Sequence, residues 1–422
     1  MSALNSILGI VVLLLIAFAL SNNRKAISIR TVIGALVLQV GIGAIILYWE
    51  TGRQGLLAAA EGVSKVINYG NDGISFLFGG LVSDKMFEVF GGGGFVFALK
   101  VLPPIIFFSS LISVLYYLGI MQIVIRILGG ALQKVLGTSK SESMSAAANI
   151  FVGQTEAPLL VKPYIKSMTN SELFAVMCGG LASVAGAVMI GYAGMGVPLP
   201  YLIAASFMAA PGGLLFAKIL HPQSEQFKDE LSDDDIEEKP SNVIEAAAVG
   251  AFSGMQLAMN VGAMLLAFIA LIAMLNGFIG GVSSLIGYEN VTLQSLFGYV
   301  FQPLAWLIGV PWGAESQVAG SLIGQKLILN EFVAYADFVN YLKPEATVAL
   351  SPKTIAIITF SLCGFANLSS IAILIGGLGG MAPSRRGDVA RMGVKAVVAG
   401  TLSNLMSAAI AGLFIGIGGA VM

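Results

Sequence analysis

Charge is scarce in this 422-residue sequence: Asp, Glu, Lys and Arg together supply 11% of it, against 57% hydrophobic residues. A soluble domain carries roughly 25% charged residues, so this chain cannot cover a water-facing surface. The mean hydropathy of +0.88 agrees. A net charge of −1 leaves no basic footprint for phosphates, and no nucleic-acid partner is expected. The lone histidine, His221, stands before Pro222. One histidine builds neither a metal centre nor a Ser–His pair within the bilayer, so the chain is not read as an enzyme. Only two cysteines occur, Cys178 and Cys363, each inside an apolar run. They read as buried small hydrophobes, not as a disulfide. No basic residue precedes the first apolar run, and Arg24 and Lys25 follow it. That order is the reverse of a cleavable signal, so the run reads as a retained span with its N-terminus outside.

Long apolar runs are abundant. About 20 residues cross the ~30 Å of hydrocarbon as a helix, and runs of that scale lie at 3–21, 29–49, 95–119, 172–194, 200–220, 252–279, 353–376 and 393–420. The reading is an all-α integral membrane protein of about eight transmembrane helices. Basic residues gather at Arg24–Lys25–Arg30, Arg126–Lys134–Lys140 and Arg385–Arg386–Arg391. Cytoplasmic segments are rich in Lys and Arg. Eight spans put all three groups on the cytoplasmic side and both termini outside. An acidic stretch between Glu225 and Glu238 then becomes a cytoplasmic linker. Residues 55–94, with Asn68, Asn71, Asp72 and a Gly91–Gly94 hinge, read as a re-entrant or interfacial element. Residues 120–136 are amphipathic and read as lying along the interface.

Two stretches echo each other. Gly137–Glu156 leads to Cys178-Gly179-Gly180-Leu181-Ala182-Ser183, and Glu315–Glu331 leads to Cys363-Gly364-Phe365-Ala366-Asn367. Glu142-Ser143 and Glu315-Ser316 correspond in the same sense, and two apolar runs follow each copy. One span separates the copies, so the second is inverted. Inverted repeats with interrupted helices mark secondary transporters, whose sites lie near the midplane. Residues 145–165 are too polar to span and too apolar for an aqueous loop. Gly153 and Pro158 bracket Gln154, Thr155 and Glu156, which suits a helical hairpin with an unwound tip; 312–340 would be its partner. Irregular backbone at this depth must be buried in protein or line a wet cavity. Glu156 and Glu331 are therefore functional candidates, since a carboxylate at membrane depth is costly. Asn149, Ser183, Asn367 and Ser370 are polar enough to serve a ligand or to tie helices together.

On these residues the sequence resembles the concentrative nucleoside transporter family. The likeness is carried by SMSAAANIFVGQTEAPL at 143–159, NEFVAY at 330–335, CGFANLSSIAILIGGLGG at 363–380, INYGND at 67–72 and SRRGDVARMGVKA at 384–396. It runs nearly the whole chain and is closest to bacterial sodium-coupled members. The resemblance implies a homotrimer in the bacterial inner membrane. Each protomer would have eight spans, two opposed re-entrant hairpins, a scaffold and a transport domain that moves as an elevator. It assigns Gln154, Thr155 and Glu156 to the nucleobase with Val188 beside it, and Glu331, Asn367 and Ser370 to the ribose, with Phe365 lining the pocket. It places sodium on Asn149, Val152, Ser183 and Val184. The expected organisation is N-terminal spans over 1–119, a first repeat over 120–220, and an acidic linker with an amphipathic helix over 221–251. A long scaffold span and external interfacial helix follow over 252–301, and a second repeat over 302–422. The expected activity is import of nucleosides, pyrimidine nucleosides such as uridine and, beyond them, adenosine, by symport with sodium. A proton-coupled symporter, as some relatives are, is the alternative.

Overall fold

The computed structural model describes residues 2–83, 85–90, 95–227, 240–285, 287–289 and 291–419. Among these residues all regular structure is helical. The Gly91–Gly94 hinge and the acidic run from Asp229 to Glu238 lie outside the described residues.

The chain opens with α1 (Ser2–Ala19), α2 (Ile29–Gly43, continued by one wide turn to Tyr48) and α3 (Glu50–Phe78). Short α4 (Lys85–Phe90) and α5 (Phe97–Lys100) precede α6 (Leu102–Tyr117) and α7 (Ile120–Leu136). The first repeat holds α8 (Lys140–Ala148), a 3-10 turn at Ala157–Val161, α9 (Lys162–Ile165), α10 (Asn170–Ala182), α11 (Gly186–Gly194) and α12 (Leu199–Leu220). Next come α13 (Val243–Leu285) and α14 (Leu293–Leu307). The second repeat holds α15 (Ala314–Ile328), α16 (Glu331–Phe338), α17 (Pro352–Leu362), α18 (Ser369–Met381) and α19 (Arg386–Gly418).

Among the described residues six stretches are long and apolar enough to cross a membrane: Ile29–Tyr48, Phe97–Tyr117, Asn170–Gly194, Leu199–Leu220, Val243–Leu285 and Pro383–Gly418. Leu4–Ala19, Pro352–Leu362 and Ser369–Met381 are shorter apolar helices. Four details depart from the sequence expectation. The runs at 172–194 and 353–376 are not continuous helices but break at 183–185 and 363–368. A hydropathy window averages over such short breaks, each of which holds a single polar residue, Ser183 or Asn367. Residues 50–78 form one continuous helix that does not enter and return. The span expected at 252–279 begins at Val243, so no separate amphipathic helix precedes it. Finally, α14 runs through the expected boundary at 301/302 to pack along α15.

Side-chain contacts fix which end of each helix is which. Arg30 donates to Lys134 O at 2.8 Å, Arg385 to Asn170 Oδ1 at 2.9 Å, and Lys395 to Asn22 Oδ1. Asn22 donates to His221 Nδ1 at 2.9 Å and from its backbone to Leu220 O. The three basic groups therefore meet at one end of the molecule. His221 sits there as a neutral acceptor, its pKa pushed down by burial and by Lys395 and Lys218. At the other end Ser6 donates to Ile308 O, Ser351 donates to Glu315 at 2.8 Å, and Lys353 lies beside Gly309 and Gly416. Helices α8 and α10 start at the basic end, whereas α15 and α17 start at the opposite one. The second copy is thus inverted, as the span count requires.

Capping explains where the repeats begin. Ser139 and Glu142 form a capping box on α8, and Thr169 and Glu172 form one on α10. Reciprocal bonds of this kind satisfy the orphan N–H groups of a first turn. Ser351 caps α17 by accepting from Thr354 N–H, with Pro352 at its first position. Beneath the basic end, Glu142 and Lys218 form a buried ion pair at 2.5 Å, and the Lys218 ammonium also donates to Ser171 at 3.0 Å.

Candidate functional site

The site is built where four interruptions of helix meet. Hairpin 1 unwinds over 149–156, between α8 and the 3-10 turn, and hairpin 2 turns at Leu329-Asn330. Each tip is bonded to the break in its own repeat: Gly186 N–H donates to Phe151 O at 2.9 Å, and Leu368 N–H to Leu327 O at 3.2 Å. The two breaks are joined directly, since Phe365 N–H donates to Ser183 O at 3.1 Å. Buried backbone polar groups must be paired, and these three bonds cross between elements.

Helix α19 threads past both breaks. Its Asn404 donates from Nδ2 to Ala182 O at 2.6 Å and to Cys363 O at 3.0 Å, the carbonyls that end α10 and α17. Lys326 of hairpin 2 donates to Asn404 Oδ1 at 2.7 Å. Such proximity requires a residue without a side chain one turn earlier. A Cβ on Gly400 would lie 2.9 Å from Leu181 Cβ and 3.0 Å from Ala366 Cβ. Gly180 plays the same part for hairpin 1, where a Cβ would fall 2.7 Å from that of Gln154.

Glu331 is the first residue of α16, with Asn330 Oδ1 capping that helix through Val333 N–H at 2.9 Å. Its carboxylate is 4% exposed and accepts from Tyr192 Oη at 3.1 Å and Asn367 Nδ2 at 3.0 Å. Asn367 is held by its own oxygen, which takes Ser370 N–H at 2.9 Å and Ser369 Oγ at 2.7 Å. Gln154 reaches across from the other repeat, its Nε2 at 3.5 Å from Ser370 Oγ. Thr155 lies against α18, since its Cγ2 stands 3.2 Å from where a Cβ on Gly377 would be. Val188 is buried on α11 and Phe365 is half-buried at the break. Gln154, Glu331, Asn367 and Ser370 are therefore brought into one linked group.

Glu156 stands apart. It is exposed at the hairpin tip, folded back over Gly153 and close enough to act electrostatically on the Tyr116 phenol. Among the described residues no contact joins it to Glu331.

The residues expected to hold sodium, Asn149, Val152, Ser183 and Val184, are all buried around the first break. Asn149 Nδ2 donates to Ser145 O at 2.9 Å, which leaves its Oδ1 facing inward without a partner. Ser183 Oγ donates to Gly179 O at 3.0 Å. An orphaned buried oxygen is costly, and a hard cation seeks oxygen ligands. Gln154 Oε1 is likewise unpartnered.

Three residues of this group carried no flag in the sequence. Tyr192 is fully buried in a cluster with Phe332 and Tyr335, at ring-centroid distances of 4.7 and 4.4 Å. Lys326 follows Gln325 in α15 and Asn404 follows Ser403 in α19, so neither stands out from its neighbours. The available signal for Lys326 was its place five residues before Glu331, because ionisable residues at membrane depth pair with one another.

Comparison with known proteins extends this geometry. A family model described as the C-terminus of a Na+ dependent nucleoside transporter matches residues 201–412, and the model for the N-terminus of that family matches 8–81. A third, described as nucleoside recognition, matches 98–199. An uncharacterized transporter of Haemophilus influenzae is 68% identical over 422 residues, covering 100% of both chains. Nucleoside permease NupC of Helicobacter pylori is 56% identical over 417 residues, covering 99% of each. The solved structure of CNTnw in an inward-facing, substrate-bound state matches at a TM-score of 0.96, with 66% identity, covering 100% of this chain and 99% of that one. Variants of CNTnw solved in outward-facing and intermediate states match at TM-scores of 0.95 to 0.97.

Proposed function

Because the chain belongs to the concentrative, sodium-dependent nucleoside transporter family, we propose that it imports nucleosides by symport with sodium, as a homotrimer in a bacterial inner membrane. Uridine is the reference substrate, with adenosine a further one. The observation that carries this reading is the meeting of both hairpin tips and both helix breaks around one set of unfilled oxygens. A carboxylate offers about four acceptor positions; Tyr192 and Asn367 take two at Glu331, leaving two for ribose hydroxyls. Gln154, an amide with a donor and a free acceptor, suits a base that presents both. Glu156 would approach the base from the exposed side once the tip closes over substrate.

Sodium would sit on Asn149 Oδ1, Ser183 and the carbonyls of Asn149, Val152, Ser183 and Val184. Bound there, it ties hairpin 1 to the α10–α11 break and so favours the closed tip that holds the base. One charge moving inward through 100 mV releases about 2.3 kcal/mol, in addition to the sodium gradient. The basic end would face the cytoplasm by the positive-inside rule, which puts both termini in the periplasm. The hairpins, broken helices, α12 and α19 would move together against α6 and α13, since one hydrogen-bonded unit is expected to move as a body. The states in which CNTnw has been solved support motion of this kind. Exposed apolar faces on α1 and α13 (Leu15, Leu266, Phe278) would meet lipid or neighbouring protomers.

Two measurements test the reading. Proteoliposomes holding the purified protein should accumulate labelled uridine against its gradient when sodium is high outside. Uptake indifferent to sodium and driven by a proton gradient would replace sodium with the proton. Asn149→Leu, which deletes the unpartnered oxygen without adding charge, should leave uridine affinity insensitive to sodium. An unchanged sodium titration in that variant would remove the ion from this position.

A further inference from the structure

We infer that Lys326 is a positioning residue: held off by Asn404, it supplies the positive charge that keeps Glu331 an acceptor for substrate hydroxyls. The inference deepens the ribose role proposed for Glu331 and rests on it.

Lys326 lies on the last turn of α15 and Glu331 is the first residue of α16, on either side of the turn of hairpin 2. Both are excluded from solvent, at 2% and 4% exposure. A buried carboxylate is tolerated only with charge or strong hydrogen bonds to compensate it. The side-chain hydrogen bonds come from two neutral groups, Tyr192 on α11 and Asn367 at the second break, and the backbone N–H of Glu331 adds a further neutral donor. Other titratable side chains facing this pocket are Tyr335 on the same helix and Cys363 at the end of α17. Neither brings positive charge. Lys326 does, and it acts on Glu331 electrostatically without touching it.

The separation has a cause. Asn404 spends both amide hydrogens on Ala182 O and Cys363 O, so its amide can face the lysine only with oxygen. That oxygen holds the ammonium at 2.7 Å. A lysine in direct contact with Glu331 would occupy the lone pairs that a sugar needs. One anchored a short distance away supplies its field and leaves them open. In a dry interior a charge beyond contact still acts strongly.

The test is uridine binding to the purified full-length protein in saturating sodium between pH 5.5 and 9. Lys326→Gln keeps a donor for Asn404 and removes the charge; Lys326→Arg keeps both. Wild type and the arginine variant should bind evenly across this range. The glutamine variant should lose affinity as pH falls, with the midpoint at least ~1 unit above that of wild type, so that binding is ~10-fold weaker near the acid end and recovers with alkali. A uniform loss at every pH, or no loss, overturns the inference. Should Lys326→Gln alone fail to fold, the double variant with Glu331→Gln must restore the folded protein, because it leaves no uncompensated charge; failure to do so also overturns it. Glu331→Gln in the Lys326 background separates the two ideas. If that variant binds uridine as wild type does, the ribose role itself falls.

Discussion

Replacing Glu331 with alanine is expected to abolish nucleoside binding while the protein still folds. The variant removes the one buried carboxylate in the linked group and with it two open acceptor positions. Hydrogen bonds to a charged group contribute about 1.5–3 kcal/mol each, so two lost bonds weaken binding by about 3–6 kcal/mol. That corresponds to roughly 10²–10⁴ in Kd. Folding should survive because Asn367 keeps its bonds to Ser369 and Ser370 and Lys326 keeps its bond to Asn404. Equilibrium binding of labelled uridine, with gel filtration of the same sample, measures both halves of the expectation. Wild-type affinity in the folded variant would end the ribose assignment.

The second large effect concerns stability alone. Lys218→Met should destabilise the protein severely, because it strands the Glu142 carboxylate at 1% exposure with its ammonium partner gone. Breaking a buried pair from one side costs about 3–5 kcal/mol, far more than replacing both partners. Glu142→Gln combined with Lys218→Met should therefore recover most of the lost thermal stability. The measurement is the fraction of soluble, correctly sized protein after heating. A single variant as heat-resistant as wild type would show that water or a neighbouring group already compensates Glu142.

These expectations mark how far the sequence could be read. Hairpin 1 was legible because Gly153 and Pro158 bracket three polar residues too deep to be a loop. Inversion was legible from span parity and from basic residues that all gather at one end. The breaks in α10–α11 and α17–α18 were not. Ser183-Val184-Ala185 is as apolar as a helix interior, and what stops the helix is bonding to another element: Phe365 N–H takes Ser183 O. Lys326, Asn404 and Tyr192 escaped for a related reason. The meaning of each lies in partners 78, 41 and 139 residues away. Glu156 and Glu331 were singled out together because a carboxylate at membrane depth is costly. Hydropathy does not say which way a carboxylate turns, and one is buried while the other lies open.

Asn404 also bears on how the duplication can be taken apart. One amide closes the last carbonyl of a helix in each repeat, yet it belongs to only one of them. The halves are therefore not interchangeable parts. A chimera that takes residues 1–220 from a distant homologue must bring a backbone that offers its carbonyl at the place of Ala182, or the graft will carry an unmatched donor at its centre.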